Sequence, residues 1–538
     1  MPLPTGGAWP PENLRPVYQR LAAWSAWYSG NPDELSWVYG GQAGVPYDST
    51  SLERIQNHPS QYRGGVVGWF ARWFWGEPLT ASQKRTKLHI PVAADISQTS
   101  AELLFSEPPK ITVPEGGSGA TAAQDRIEQL VDDGVHATFL EAAEICAALS
   151  GVYLATCWDR EVADRPWLAA RHPDAAVPEW RYDRLAEVTF WRVLEDDGKR
   201  VVRHLERHEP GYILHGVYEG TPEQLGKQVD LGAFPATENL EPVVETGLPN
   251  RLTATYIPNM RPNRIWRNLP AAAYCGRSDF TGLEPLMDAL DETWSSWMRD
   301  IRQGVGRILV PEQYLENLGA GRGSRWDPSR EVYEALSMLP SNDRSQIEQI
   351  QFAIRVAEHR DTTQEQVEHI IRGAGYSAQT FGLKGDVAVT ATEVNAREKK
   401  TITTRNRKIV YWRPGTAEAV ETLLMVDAAQ FNSGIDPVRP DVDFGPYVGT
   451  DIGENAQTAQ LMRAAEAAST ETLVKMLHPD WDDKQVAEEV ARIRDDSVAS
   501  LPPMLSGPAD QGGAAGIDEK MPPDEADTAE PDAADEGY

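Results

Sequence analysis

Apolar side chains recur at helical spacing along most of this chain and at alternate positions in one long stretch. From Glu12 to Trp37, the Leu, Trp and Tyr positions of LRPVYQRLAAWSAWYSG predict a helix that stops at Gly30-Asn31-Pro32. Ile96, Leu103, Leu104 and Phe105 predict a second helix, closed by Pro108 and Pro109. Ile127, Leu130, Val131, Phe139, Ile145 and Leu149 predict helix from about Ala122 to Leu149, broken at Gly134. Between Gly151 and Tyr256 the period becomes two, as in VTFWRVLEDDGKRVVRHLERHEPGYILHGVYEG. Asp196-Asp197-Gly198 and Pro210-Gly211 act there as turns, and the reading is an antiparallel sheet.

The helical period returns at Leu283, Leu286, Met287, Leu290, Trp294, Trp297, Met298 and Ile301, with Gly304 and Gly306 at its end. RILVP reads as a strand, residues 306 to 360 as short strands and turns, and QEQVEHIIRG as helix. A Gly-bearing loop, GAGYSAQTFGLKGD, leads into a long helix whose start is marked by Thr390 and Glu393 at capping-box spacing. Pro414 should kink or divide that helix, because proline offers no N–H to the preceding turn. Ala- and Glu-rich helices follow. Beyond Pro502 the chain is Pro, Gly, Ala, Asp and Glu with almost no aromatics, a composition that cannot bury enough surface to order itself.

Charge narrows the function classes. The 538 residues carry 81 acidic and 51 basic side chains, a net −30 that repels phosphate backbones and disfavours a protein gripping nucleic acid along its surface. Residues 506 to 538 hold ten acids and one base, which leaves −21 on the rest, so the acidity is general. Cys146, Cys157 and Cys275 have no paired spacing, which argues against a disulfide framework or a zinc knuckle and fits a reducing compartment. MPLPTGGAWPPENLR lacks the basic-then-apolar order of a signal peptide. GGVVGWFARWFWG, from Gly64 to Gly76, is too short to span a bilayer and carries Arg72; it reads as a buried or subunit-facing segment, with a membrane-surface or adaptor role as the competing reading of residues 69 to 75.

Catalytic and metal-binding patterns are few. His204 and His208 have the i, i+4 spacing of a zinc pair, but Leu205 stands where a zinc-protease helix needs its general-base Glu, and the surroundings read as a hairpin. A metal-dependent hydrolase using that pair is the competing enzymatic reading; half-exposed sheet histidines are the simpler one. Asp441 and Asp443 in DVDFG alternate as on a solvated strand. Gly375, Gly382 and Lys384 do not make a nucleotide-binding loop, because the two glycines are too far apart and Leu383 intervenes. No metal site or cofactor is expected.

Three stretches, taken in order, carry a family likeness: HIPVAADISQTSAELLFSEPP, YCGRSDFTGLEPLMDALDETWSSWMRDIRQGVGRILVP and FGLKGDVAVTATEVNAREKKTITTRNRKI. Together with the sequence of elements they resemble the portal proteins of tailed bacteriophages, from about Trp24 to about Asp427. The resemblance implies a non-enzymatic α+β protein, virion-located and assembled in the host cytoplasm as a dodecameric ring at one capsid vertex. DNA would be packaged and later ejected through its channel. Its implied partners are double-stranded DNA passing non-specifically, the terminase large subunit, a head-completion adaptor, and the major capsid protein with its scaffold; no membrane is implied.

On that resemblance the regions would be a wing at 1 to 282, containing helices and the antiparallel sheet, and a first stem helix at 283 to 305. A small mixed clip would occupy 306 to 360, a second stem helix 361 to 373 and a tunnel loop 374 to 389. A long wing helix, kinked near Pro414, would run from 390 to 430, followed by a helical crown at 431 to 505 and a disordered acidic tail at 506 to 538. The tunnel loop would contain Gly375, Gln379, Gly382, Lys384, Gly385 and Asp386. Asp288, Asp291, Glu292, Arg299, Asp300 and Arg302 are the expected channel-facing stem residues, since an acidic or mixed wall lets a polyanion slide without holding it. Arg397, Lys399, Lys400, Arg405, Arg407 and Lys408 are the expected contacts to acidic faces of adjacent subunits.

Overall fold

A computed structural model describes residues 3–40, 88–114, 120–303, 307–309, 316–317, 324–325, 348–350, 355–383, 391–445, 452–478, 481 and 483–499. The chain divides into two compact units, Met1–Gly449 and Thr450–Tyr538.

The first unit mixes helices with antiparallel sheets. Helix α1 (Arg15–Ser29) ends at Gly30, whose φ of +64° is cheap for glycine, and α2 (Pro32–Gly40) follows. Helix α3 (Val92–Phe105) packs on α5 (Val135–Leu149), while α4 (Ala120–Asp132) is separated from α5 by Gly134 at φ +88°, so the expected break is present. Trp24, Trp27, Phe139 and Trp412 are fully buried between these helices.

The stretch expected to form one sheet forms two. Strand β2 (Gly151–Cys157), buried along most of its length, lies between β10 (Ala254–Pro258) and β3 (Trp167–Arg171). Gly151 is required there, because a Cβ would come within 2.3 Å of the Tyr256 hydroxyl. The second sheet is an antiparallel meander of β4 (Ala176–Arg181), β5 (Arg184–Asp196), β6 (Val201–Glu209), β7 (Tyr212–Thr221) and β8 (Gln224–Val229), with β9 (Val243–Glu245) also pairing β7. Alternation marks strands but not sheet membership, which depends on pairings distant in sequence. The edge at β8 is covered by the N-terminal segment: Trp9 N donates to Glu223 O and Leu225 N to Gly7 O, both at 2.9 Å.

Helix α6 (Glu284–Gln303) and helix α7 (Val356–Ala374) form an antiparallel hairpin; α7 begins earlier than the sequence pattern indicated. Between them, β11 (Arg307–Leu309) pairs β14 (Glu348–Ile350) and β12 (Glu316–Asn317) pairs β13 (Ser324–Arg325). The rest of 306 to 354 lies outside the described residues.

Helix α8 (Ala391–Phe431), 41 residues and roughly 60 Å long, is continuous through Pro414. Of the kink or division expected at Pro414, the division does not occur. Pro414 leaves the Val410 carbonyl without its helical donor, but Val410 is 66 % exposed, so that side of the helix faces solvent, and Arg439 Nη2 donates to Pro414 O at 3.1 Å. One residue on, a Cβ at Gly415 would lie 2.6 Å from Ile257, so the helix presses directly on the three-stranded sheet. Strand β15 (Asp441–Asp443) pairs β1 (Lys110–Thr112), with Val442 buried and Asp441 and Asp443 exposed. Thr390 and the Trp-rich 69 to 75 segment lie outside the described residues, and the side chain of Glu393 in α8 is not described.

The second unit contains α9 (Ile452–Ala464), α10 (Thr470–Leu477) and α11 (Asp483–Ala499), and Val474 of α10 packs with Val486 and Val490 of α11. Ser469 caps α10, its hydroxyl accepting from Thr472 N at 3.2 Å. The tail at 506 to 538 is outside the described residues.

Candidate functional site

The helical hairpin, the chain just after it and the first half of α8 bring together most of the residues singled out in the sequence. The hairpin is keyed along its length. A Cβ on Gly373 would lie 2.5 Å from Leu283, Gln366 Nε2 donates to Thr293 Oγ1 at 3.2 Å, and Asp300 accepts from Arg355 at 3.0 Å. His359 Nε2 lies 2.9 Å from the same Asp300 oxygen, and its ring stacks on Trp297 at 6.0 Å. The hydrogen bond with His359, more than the field of Arg355, holds the Asp300 carboxyl below its usual range.

The acids of α6 do not all meet water. Glu284, Asp288 and Asp291 lie at helical spacing on one face and are buried at 2 %, 5 % and 1 % exposure. Glu284 accepts from Arg20 Nη1 at 3.3 Å and Trp24 Nε1 at 3.0 Å. Asp291 accepts from Ile90 N at 2.9 Å and lies 2.7 Å from His89 Nδ1. Within the protomer, Asp288 and Asp291 therefore face inward and not toward an open bore. The partners of Asp291, His89 and Ile90, stand about two hundred residues upstream, so the sequence pattern could not reveal them. Glu292, Arg299 and Asp300 are partly exposed, and the side chain of Arg302 is not described.

The chain that follows α7 is fixed to α8. Gly375, at φ +107°, ends the helix, its N–H reaching Ile371 O and Arg372 O, and Thr404 Oγ1 donates to its carbonyl at 2.6 Å. Ser377 N donates to Thr401 Oγ1 at 2.9 Å, and Thr380 Oγ1 lies 2.8 Å from that same hydroxyl. Lys400 Nζ donates to Arg372 O. Residues 400, 401, 404 and 408 make one stripe of α8, and the segment lies along it. Gln379 is half-buried in a short turn, Ala378–Phe381, which Gly382 closes at φ +69°. Gly375 and Gly382 are thus stops in a fastened segment. Lys384, Gly385 and Asp386 lie outside the described residues.

Beneath this segment is a buried polar centre. Lys408, 1 % exposed, pairs with Asp279 Oδ2 at 2.6 Å and donates to Ser100 Oγ. Tyr376 OH donates to the same Asp279 oxygen at 2.7 Å, and Asn259 Nδ2 donates to Asp279 Oδ1 at 2.7 Å. Burial, then the Asp279 charge, raises the Tyr376 phenol far above its ordinary pKa, so it remains a donor. Side chains from three positions, 259, 376 and 408, thus meet at one carboxylate.

This arrangement corrects part of the expected subunit-contact set. Lys408 is consumed inside the protomer, and Arg405, also buried, donates from Nε to Leu103 O at 2.6 Å and from Nη2 to Gly445 O at 2.8 Å. Lys399, Lys400 and Arg407 remain exposed; the side chain of Arg397 is not described. Sequence reasoning missed Asp279 and Tyr376. An aromatic in a Gly-rich loop was the one available signal.

The histidine pair of the enzymatic reading lies on β6, where four residues span roughly 13 Å, too far for His204 and His208 to share an ion. His204 Nε2 instead lies 3.2 Å from His215 Nδ1, and His208 Nδ1 lies 2.6 Å from Thr253 Oγ1. Burial, and then the neighbouring His215, push the His204 pKa down to about 4. No cluster of three or more metal-ligating side chains occurs among the described residues, and none of their helices is long and apolar enough to cross a membrane.

Residues 253–500, which contain the hairpin, the fastened segment and α8, match the family described as phage portal protein, SPP1 Gp6-like. Over that stretch the chain is similar to phage portal proteins. No curated protein matches it. A solved structure titled "Neck of native GTA particle computed with C12 symmetry" is similar at 14 % identity and TM-score 0.38, covering 81 % of this chain and 95 % of that one; so weak a likeness decides nothing further. Portal proteins are structural and not enzymatic, and they are virion components assembled as oligomeric rings with capsid parts.

Proposed function

We propose that this chain is a portal protein that forms a dodecameric ring at one capsid vertex, through which a terminase motor drives DNA inward and through which the genome later leaves. The match over 253–500 carries the reading, because it spans the hairpin, the loop and the long helix as one block. On this reading the hairpin of α6 and α7 is the stem, and the paired strands between them belong to the clip. The clip meets the terminase large subunit and then a head-completion adaptor. Residues 1 to 282 and α8 form the wing, toward the major capsid protein and scaffold, and 431 to 505 form the crown.

The tunnel loop is reassigned within this reading. Residues 375 to 383 serve as its base, and Lys384, Gly385 and Asp386 belong to the part that meets DNA. Contact with DNA is non-specific, and the −30 charge limits retention of the polyanion. Of the expected stem residues, Glu292, Arg299 and Asp300 remain candidates for the bore.

Shortening 384–390 to a few glycines and measuring DNA packaging into capsids tests the assignment. Normal ring assembly with impaired packaging or retention is expected; unimpaired packaging would remove the loop from the mechanism.

A further inference from the structure

The turn-rich segment 259 to 278 and the outer face of α8 share a cluster of positive charge that no carboxylate among the described residues pairs with. Arg407, exposed on α8, donates from Nη2 to Arg261 O at 2.7 Å. The Arg261 guanidinium lies over the Tyr274 ring, 5.5 Å from its centroid, and Tyr411, one turn beyond Arg407, lies 3.4 Å from the same carbonyl. Exposed Arg264 and half-buried Arg277 complete the cluster. Burial, then the fields of Arg407 and Arg264, lower the pKa of Arg277, and its Nε is buried without a hydrogen-bond partner. Among the described residues none of these four arginines enters an ion pair. Nearby Asp279 is already engaged by Lys408, Tyr376 and Asn259.

A chain with 81 acids and 51 bases could pair such a cluster many times over, yet among the described residues no ion pair reaches it. Clustered, partly desolvated arginines repel one another and lose hydration unless an anion answers them. We propose that Arg261, Arg264, Arg277 and Arg407 form a contact surface for the acidic face of a second copy of this chain. Three observations favour that occupant. The planar guanidinium fork matches a carboxylate in two-point contact. Arginine and tyrosine side by side are the residues that dominate binding at protein interfaces. The net charge of −30 makes a second copy an abundant source of carboxylates. The proposal rests on the portal reading only for the existence of a ring.

The test uses the full chain carrying Arg264→Gln, Arg277→Gln and Arg407→Gln, with ring and protomer populations counted by mass photometry across protein and salt concentration. The concentration for half-assembly should rise by about tenfold or more, and assembly should become less sensitive to salt. Lysine at the same three positions should recover part of the loss. If the triple variant fails to reproduce the wild-type circular dichroism melt, the Arg264→Gln and Arg407→Gln pair, both exposed, should still weaken assembly. Assembly unchanged at every salt concentration, while wild type forms rings, would overturn the proposal. Binding of a short DNA duplex by wild type, lost in the variant while assembly stays normal, would make the cluster a phosphate site and also overturn it. A wild-type chain that remains monomeric would refute the ring itself, and this surface with it.

Discussion

Arg407 and Lys408 are adjacent on one helix and have opposite fates. A step of one residue turns the helix by about 100°, and that rotation carries Lys408 into a dry centre while Arg407 remains outside. Lys408 has a carboxylate, a hydroxyl and a phenol network around it; Arg407 has a carbonyl and other arginines. The same residue class thus holds the protomer together on one side of α8 and remains available to a partner on the other. A row of basic residues in sequence is not a single surface.

The inner side should be the more costly to disturb. Lys408→Met leaves the Asp279 carboxylate buried and unpaired, and should destabilise the first unit by about 3–5 kcal/mol in chemical denaturation. Adding Asp279→Asn should cost less than the sum of the two single changes, since the pair acts as a unit. Arg407→Gln should stay within about 0.5 kcal/mol of wild type in the same assay, acting on assembly only. Equal costs at 407 and 408 would erase the contrast.

The meander offers a pH-dependent version of the same distinction. His204 is held neutral in the folded chain, with its pKa down to about 4, whereas in the unfolded chain it titrates near the ordinary histidine value of 6.5. The unfolded state binds the proton first, so stability should fall as pH drops from 6.5 toward 4, by up to about 3 kcal/mol from this group. Above that window His204 contributes no slope. His204→Gln should flatten this part of the stability profile, and an unaltered slope would place the acid sensitivity elsewhere.

A smaller effect is expected where the loop base is fastened. Gly375 has φ +107°, and an added Cβ would lie 2.9 Å from Thr404 Oγ1, so Gly375→Ala should cost about 1–2 kcal/mol. It should also raise hydrogen exchange in 375–383 more than in α3. Uniform exchange would mean that the segment is not held by its contacts with α8.

These contrasts show where the sequence was legible. Periodicity identified α1, the break at Gly134, the meander hairpins and α6, because each records a local choice of exposed and buried faces. Whether α8 would run on or divide at Pro414 was not legible. Proline's penalty is local, but the packing of Gly415 on Ile257 and the exposure of Val410 are tertiary facts. The burial of Asp288, Asp291, Arg405 and Lys408 was hidden for the same reason: a charge defaults to solvent unless its partner is known. Those partners, among them His89, Leu103 and Asp279, stand far away in the chain.

The central claim is that this chain closes into a portal ring with a DNA-sized channel. Electron microscopy of the purified full-length protein at assembly concentration tests it most directly. Closed dodecameric rings with an open axis are the predicted result, and a uniform population of monomers would contradict the account.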